Sequence, residues 1–332
     1  MKVLVTGGCG FIGSNFVHLL MKDQSVSKLT NLDALTYAGH PQNTSDFKDD
    51  DRYEFVEGDL RNKSLVFDLV KEAELIVHFA AESHVDRSIE SPDEFITTNI
   101  VGSFNLLEAL KNTNPKARFV QVSTDEVYGS IQEGQFTTKS PIEPNSPYSA
   151  SKAGADLLAR SYHQTYGLEI LITRSSNNYG PRQTPEKLIP LMIQRATAGQ
   201  ALPVYGDGSN VRDWIYVEDN CLGVWQACKK GQAGKVYHFG GECEKSNLEV
   251  VHQIIESTGA NKDQIEFVKD RLGHDWRYAL SIEGSEKELG WRPETDFNQG
   301  LSKTISWYKE NGDWMKAVSQ KIETWMKRYE GD

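Results

Sequence analysis

Through the first half of the chain, short apolar runs alternate with stretches whose apolar positions recur every three or four residues. The runs at 2–6, 28–33, 53–57, 75–79, 118–123 and 170–174 are nearly continuous in hydrophobicity, as strands are when both faces of a parallel sheet are covered. The stretches at 13–21, 64–71, 92–111 and 148–166 have helical spacing. Strand and helix in turn predict βαβ units and an α/β fold with a doubly wound parallel sheet. Beyond Tyr179 the pattern loosens: Pro181, Pro185, Pro190 and Pro203 punctuate it, and Gly206 and Gly208 mark a turn. Residues 213–230 read as a strand and a helix that return to the first domain. The remainder predicts a smaller α+β domain, with the main boundary near 178 and the segment 211–235 going back to the N-terminal part. The 92–111 helix has more apolar positions than one stripe needs, among them Phe95, Ile96, Val101, Phe104 and Leu107. Either it is sunk in a large core or its second face meets a partner. The expectation is a homodimer through 92–111 and 148–166.

Composition narrows the class. The chain has 332 residues, 38% hydrophobic and 25% charged, so it is globular and about two domains long. A net charge of −11 argues against a nucleic-acid binder, whose surface must neutralise phosphates. No run approaches the roughly 20 apolar residues of a membrane span. Residues 2–6 run straight into glycines, without the pattern of a secretion signal. Cysteines at 9, 221, 228 and 243 lack Cys-x-x-Cys spacing, so reduced thiols in a cytoplasmic protein are expected and no metal, with zinc the alternative.

Candidate chemistry begins at Gly7-Gly8-Cys9-Gly10-Phe11-Ile12-Gly13, between the first strand and the first helix. Gly7 allows a tight turn, Gly10 a close approach to a pyrophosphate, and Gly13 close packing of helix on strand. The helix N-terminus offers free N–H groups to the phosphates. Asp33 ends the second strand 20 residues after Gly13, where a carboxylate accepts ribose hydroxyls and repels a 2′-phosphate. The pattern therefore predicts a Rossmann-type NAD site, with NAD preferred over NADP. Asp59 at the end of the third strand is placed to meet an adenine amino group. Phe79, Ala80 and Ala81 end the fourth strand where a cofactor would pass.

Tyr148 and Lys152 stand four residues apart on one helix face. A tyrosine near a cation is a candidate base for a hydroxyl proton, because the cation favours the phenolate. The predicted strand at 118–123 is followed by Thr124-Asp125-Glu126, and an adjacent Asp and Glu can supply an acid and a base. Either pair alone is also an ordinary surface feature. The glycine fingerprint, Thr124 and Tyr148-x-x-x-Lys152 together resemble the extended short-chain dehydrogenase/reductase family. The Thr124-Asp125-Glu126 run is similar to that of the dTDP-glucose 4,6-dehydratases within it, over nearly the whole chain. The resemblance implies an NAD-dependent hydro-lyase, with Thr124, Asp125, Glu126, Tyr148 and Lys152 as catalytic residues and dTDP-glucose as substrate. It also implies cofactor contacts from Phe11, Ile12, Leu35 and Thr36, and from Leu60, Ser83, Thr98 and Asn178. For the substrate it implies Ser83, His84, Asn177, Lys187, Leu188 and Pro203, and further Tyr205, Arg212, Asn247, Arg271 and His274. Arg182, Leu272 and Trp276 depart from the family pattern at places expected near the nucleotide, which bears on the base preference. The residues leave other readings open: a nucleotide-sugar 4-epimerase, a 4,6-dehydratase for another nucleotide sugar such as UDP-glucose, or a non-catalytic NAD-binding protein.

Overall fold

The computed structural model describes residues 1–270 and 273–329. Strands form at the apolar runs: β1 (Lys2–Thr6), β2 (Lys28–Asp33), β3 (Tyr53–Glu57), β4 (Leu75–His78), β5 (Arg118–Thr124) and β6 (Ile170–Ser175). They are followed by β7 (Asn177–Tyr179), β8 (Leu202–Tyr205), β9 (Val211–Tyr216), β10 (Val236–Phe239), β11 (Glu244–Ser246) and β12 (Ile265–Val268). Predicted ends of the first six are met within one residue. Seven strands form one parallel sheet in the order β10-β6-β5-β4-β1-β2-β3. Every residue of β4 and β6 is buried, because helices cover both faces. On one face Phe16, Val17 and Leu20 pack with Val224 and Trp225; on the other Leu106, Leu107 and Leu110 pack with Val66, Val70 and Phe119. Of the segment expected to return, helix Val217–Lys230 packs on the main sheet; its strand β9 pairs with β7 and β11 instead, and the strand that returns is β10, just beyond the segment.

The rest has its own core, in which Ile189, Met192 and Ile193 meet Val250, Ile254, Leu301 and Ile305. It carries a three-stranded sheet, β11-β9-β7, and the parallel pair β12-β8. All four cysteines are free thiols, three of them buried. No helix among the described residues is long and apolar enough to cross a membrane.

The 92–111 helix is not continuous. Helix Pro92–Phe95 passes into a π-helical segment, Ile96–Gly102, before α-helix resumes at Ser103–Thr113. Buried Asn99 in the widened turn accounts for it. Its side chain accepts from the Glu82 N–H at 2.9 Å and donates to the Glu82 carbonyl at 3.0 Å and to Ser151 Oγ at 2.8 Å. The extra residue in the turn aims that amide at two other segments at once. Ile96 and Val101 are left exposed, as is Leu157 on the neighbouring helix, so the second apolar stripe faces outward.

Helix Pro147–Tyr166 starts on a Ser146–Ser149 capping box with Pro147 in the first turn, and stops at Gly167, whose φ is 68°. Buried Asp156 fixes it to the sheet, its Oδ2 3.0 Å from Arg174 Nε on β6. Arg174 also donates to the Tyr128 hydroxyl, which bonds His238 Nε2 on β10 at 2.7 Å. Removing one partner of a buried pair leaves the other charge uncompensated. Asp156→Ala is therefore expected to lower unfolding free energy by about 3–5 kcal/mol, measured by urea denaturation; a loss below about 1 kcal/mol would mean that the pair contributes little beyond surface pairs.

Candidate active site

Strand order reverses between β1 and β4, and in such sheets ligands sit beyond the carboxyl ends of the strands at that point. A cavity of about 290 Å³ opens there, lined by Gly7, Gly10, Phe11, Ile12 and Gly13 from the glycine turn. A Cβ on Gly13 would stand 2.1 Å from the Gly7 carbonyl oxygen, and one on Gly7 would meet the Ala80 nitrogen at 2.6 Å. Gly7 also has φ +75°, so both positions require glycine. Gly10 is the N-cap of helix Phe11–Lys22 and places no side-chain cap on it, which leaves N–H groups toward the cavity. Asp33 follows on the cavity wall. Its carboxylate accepts from the Cys9 and Leu35 N–H groups, each at 2.8 Å, while burial raises its pKa. Thr36, Asp59, Leu60, Phe79, Ala80, Ala81, Ser83 and Thr98 line the same cavity, as do Tyr148 and Lys152 at its far end. These features fit a dinucleotide: a tight anion-binding turn, a carboxylate at the ribose position and small residues along the path.

A second cavity of about 330 Å³ meets the first at Ser83, Gln183 and Lys187. It is lined by His84, Glu126, Asn177, Asn178 and Leu188, and by Pro203, Tyr205, Arg212, Asn247 and His274. Lys187 Nζ donates to the Ser83 carbonyl at 3.1 Å, bracing the joint. The Arg212 guanidinium donates to the carbonyls of Val211 (2.7 Å), Asp275 (2.9 Å) and Trp276 (3.3 Å) and lies over the Tyr278 ring. Carbonyls hold it without cancelling its charge, so it remains a buried cation at the cavity wall. Asn177 Oδ1, Asn178 Oδ1 and Gln183 Oε1 are buried acceptors with no protein partner. Buried polar atoms cost free energy unless bonded, so this wall is prepared for a polar ligand.

The two carboxyls after β5 lie where the chain turns. On a straight strand neighbours point to opposite faces. Here Asp125 begins a 3₁₀ turn, Asp125–Tyr128, and Thr124 Oγ1 caps it by accepting from the Glu126 N–H at 3.3 Å. Glu126 lines the second cavity; Thr124 and Asp125, both expected at the chemistry, line neither cavity, and Asp125 is buried. Burial, then Glu126 and Asp213, hold the Asp125 carboxyl well above its ordinary pKa, which favours its protonated form. Burial also raises the Tyr148 phenol, reinforced by Glu126 and Asp125, with Thr124 opposing. Lys152 donates to the Val122 carbonyl at 2.7 Å, and burial lowers its pKa to about 8. The constellation offers an acid, a carboxylate, a phenol and an ammonium around one end of the joined cavities.

The GDP-mannose 4,6 dehydratase family matches residues 4–304. The chain belongs to that family. Among its relatives, the low-salt glycan biosynthesis protein Agl12 of Haloferax volcanii is 55% identical, over 93% of this chain and 98% of that protein. The dTDP-glucose 4,6-dehydratase of an Actinoplanes species is 48% identical, over 95% of this chain and 99% of its own. The crystal structure of DesIV, a dTDP-glucose 4,6-dehydratase from Streptomyces venezuelae with NAD and TYD bound, superposes with a TM-score of 0.94 at 48% identity. That match covers 96% of this chain and all of the other.

Within this member of the 4,6-dehydratase family, some expected residues fall elsewhere. Asn178, expected at the cofactor, lines the second cavity. Leu35 lines neither cavity; at φ +51° it acts through its backbone, donating to Asp33. Arg182, expected near the nucleotide, lines neither cavity: at φ +69° it bonds Asn15 Oδ1 at 3.1 Å and lies over the Trp307 ring. Arg271 and Leu272 lie outside the described residues. Several wall residues escaped the sequence reading, among them Glu82, Gln183, Thr184 and Glu186. Glu82 stands between Ala81 and Ser83, both named from the sequence; Gln183 and Thr184 stand in a proline-broken stretch without a motif.

Glu82 is 4% exposed, with Arg87 4.0 Å away. Burial raises its pKa from 4.5 to about 7, opposed by Arg87 and assisted by Glu94 and Glu186. A raised carboxyl pKa stabilises the fold fully below about 4.5, and that contribution is lost as pH climbs through about 7. Between pH 5 and 8 the wild type should lose about 2–3 kcal/mol through this group. Glu82→Gln should gain that much on wild type over the same interval, read from urea unfolding at the two pH values; parallel curves would place the Glu82 pKa near its ordinary value.

Proposed function

We propose that this chain converts dTDP-glucose into dTDP-4-keto-6-deoxyglucose and water, with NAD held as a resident cofactor. The observation that carries the reading is the turn at the end of β5. It sets a buried Asp125, its pKa raised by burial and by Glu126, next to Glu126 at the second cavity, with both carboxyls acting on the Tyr148 phenol. A 4-epimerase needs only oxidation and reduction at one carbon, and acid and base groups for the neighbouring carbons would be unwanted there. Relatives of 44–48% identity described as dTDP-glucose 4,6-dehydratases support the same substrate.

In this reading Gly7, Gly10 and the helix after them receive the pyrophosphate, Asp33 accepts the adenosine ribose hydroxyls and Lys152 holds the other ribose. Arg212 and Lys187 face the sugar-nucleotide diphosphate as charge-assisted donors, and Asn177 turns its unpaired oxygen toward the hexose. Tyr148 takes the proton of the C4 hydroxyl, and Thr124 donates to the oxygen that becomes a ketone. Bound NAD would supply the acceptor for the C4 hydride, its return to C6, and a positive charge that offsets the field of Glu126 on the Tyr148 phenol. With C4 oxidised, the C5 hydrogen is acidic, and Glu126 removes it. Asp125 gives its proton to the C6 hydroxyl, which leaves as water, and C5 recovers a proton when C6 is reduced. Residues 1–178 then serve mainly the cofactor and 179–332 mainly the nucleotide sugar. Deuterium at C4 of the hexose is expected at C6 of the same product molecule, read by mass spectrometry of mixed labelled and unlabelled substrate. Label lost to solvent, or kept at C4 after full conversion, would overturn the reading.

The same proposal includes a homodimer and a cytoplasmic setting. Free thiols support the setting. The dimer is supported by Ile96, Val101 and Leu157, which are 44%, 40% and 50% exposed on adjoining helices. Sedimentation equilibrium at micromolar concentration should give twice the 37.3 kDa chain mass, and Leu157→Glu should shift it toward one chain. A wild-type monomer would remove the dimer.

A further inference from the structure

The helix Gly312–Tyr329 begins after residue 304, where the family match ends. It reaches the segment after β2, at the end of the first cavity that Asp33 lines. Trp314 Nε1 donates to Asn43 Oδ1 at 2.7 Å, and its ring stands 6.0 Å from that of His40. Val318 is fully buried. One further turn along the same face, Lys321 Nζ donates to the carbonyls of Leu35 at 3.0 Å and Gly39 at 2.6 Å.

Those two carbonyls belong to the loop that leaves Asp33. Thr36, Ala38 and Gly39 of this loop form part of the cavity wall. Its geometry is held against local preference. Leu35 sits in the left-handed region, costly for a branched side chain. Gly39 lies so close to Asp33 that a Cβ would stand 2.5 Å from Oδ1. The Leu35 N–H in turn orients that carboxylate. Lys321 is the side chain that ties both ends of the loop together from outside. Burial lowers its pKa while Asp33, Cys9 and Glu57 raise it, which places the ammonium in the field of the Asp33 carboxylate. An ammonium is not half-buried without compensation, and two carbonyls and a carboxylate supply it.

We propose that Lys321 is a positioning residue for the adenosine ribose of NAD: by clamping the Leu35 and Gly39 carbonyls it fixes the loop that presents Asp33, and thereby sets how tightly the cofactor is held. The proposal rests on the NAD reading above. It does not make Lys321 necessary for docking the helix, because Trp314, Met315 and Val318 already bury that face.

The test uses the full chain and Lys321→Met, which keeps the apolar stem and removes the ammonium. NAD titrations are followed by tryptophan fluorescence, and NAD release after dilution is followed by chromatography. Two charge-assisted bonds predict a Kd for NAD raised about tenfold or more. At saturating NAD, kcat and the KM for dTDP-glucose should be unchanged, and Lys321→Arg should restore most of the affinity. An unchanged Kd in the Met variant overturns the proposal. So does a weaker Kd that comes with a comparably lowered apo-protein Tm and no rescue by Arg, since that pattern belongs to a helix that has come loose. Failure of the wild-type chain to bind NAD would instead remove the cofactor reading on which the proposal stands, and the first titration separates the two.

Discussion

The close approach of two backbones at the ends of β1 and β4 is the constraint on which the rest depends. Gly7 presses against Ala80 with no room for a side chain. A parallel sheet whose crossovers reverse at this point leaves a crevice there, and only small residues keep it open. The glycine turn enters it from one side and the Ala80–Ser83 segment from the other. Asn99 holds that segment to the helix that carries Tyr148 and Lys152, through Glu82 and Ser151. The position of the chemistry is therefore set by backbone contacts and one buried amide before any catalytic side chain is considered.

Charge is handled unusually for an acidic chain. Several carboxyls at the site are withdrawn from water, and burial raises the pKa of Asp33, Glu82, Asp125, Glu186 and Asp213, whereas Arg61 lowers that of Asp59. The same burial serves different ends. At Asp125, with Glu126 alongside, it favours the protonated form. At Asp33 two backbone N–H groups and Lys321 oppose it, which suits a group that must accept hydrogen bonds. Arg212, gripped by carbonyls, keeps its charge for a ligand because no nearby carboxylate is needed to hold it in place.

The C-terminal helix gives the cofactor end a dependence on residues far away in sequence. Its face docks on the segment 40–47, and its last described contact reaches the loop beside Asp33. The smaller part of the chain thus touches both ends of the joined cavities, through Arg212 at one and Lys321 at the other.

Much of this was readable from residue order. The six leading strands, the glycine turn, Asp33, and the pairing of Tyr148 with Lys152 follow from nearly continuous apolar runs, from helical spacing between them and from short motifs, all local properties of the chain. The break in the 92–111 helix was not readable, because it is driven by Asn99 bonding to partners 17 and 52 residues away. Nor were the wall positions of Gln183 and Thr184, the withdrawal of Arg182 to Asn15 and Trp307, or the reach of Lys321 to Leu35. Sequence placed Asp125 and Glu126 side by side and named their chemistry. Only the folded chain, by turning immediately after β5 and burying Asp125 while Glu126 lines the cavity, gave the two carboxyls different surroundings and raised the pKa of Asp125, since desolvation is a property of surroundings that no local stretch contains.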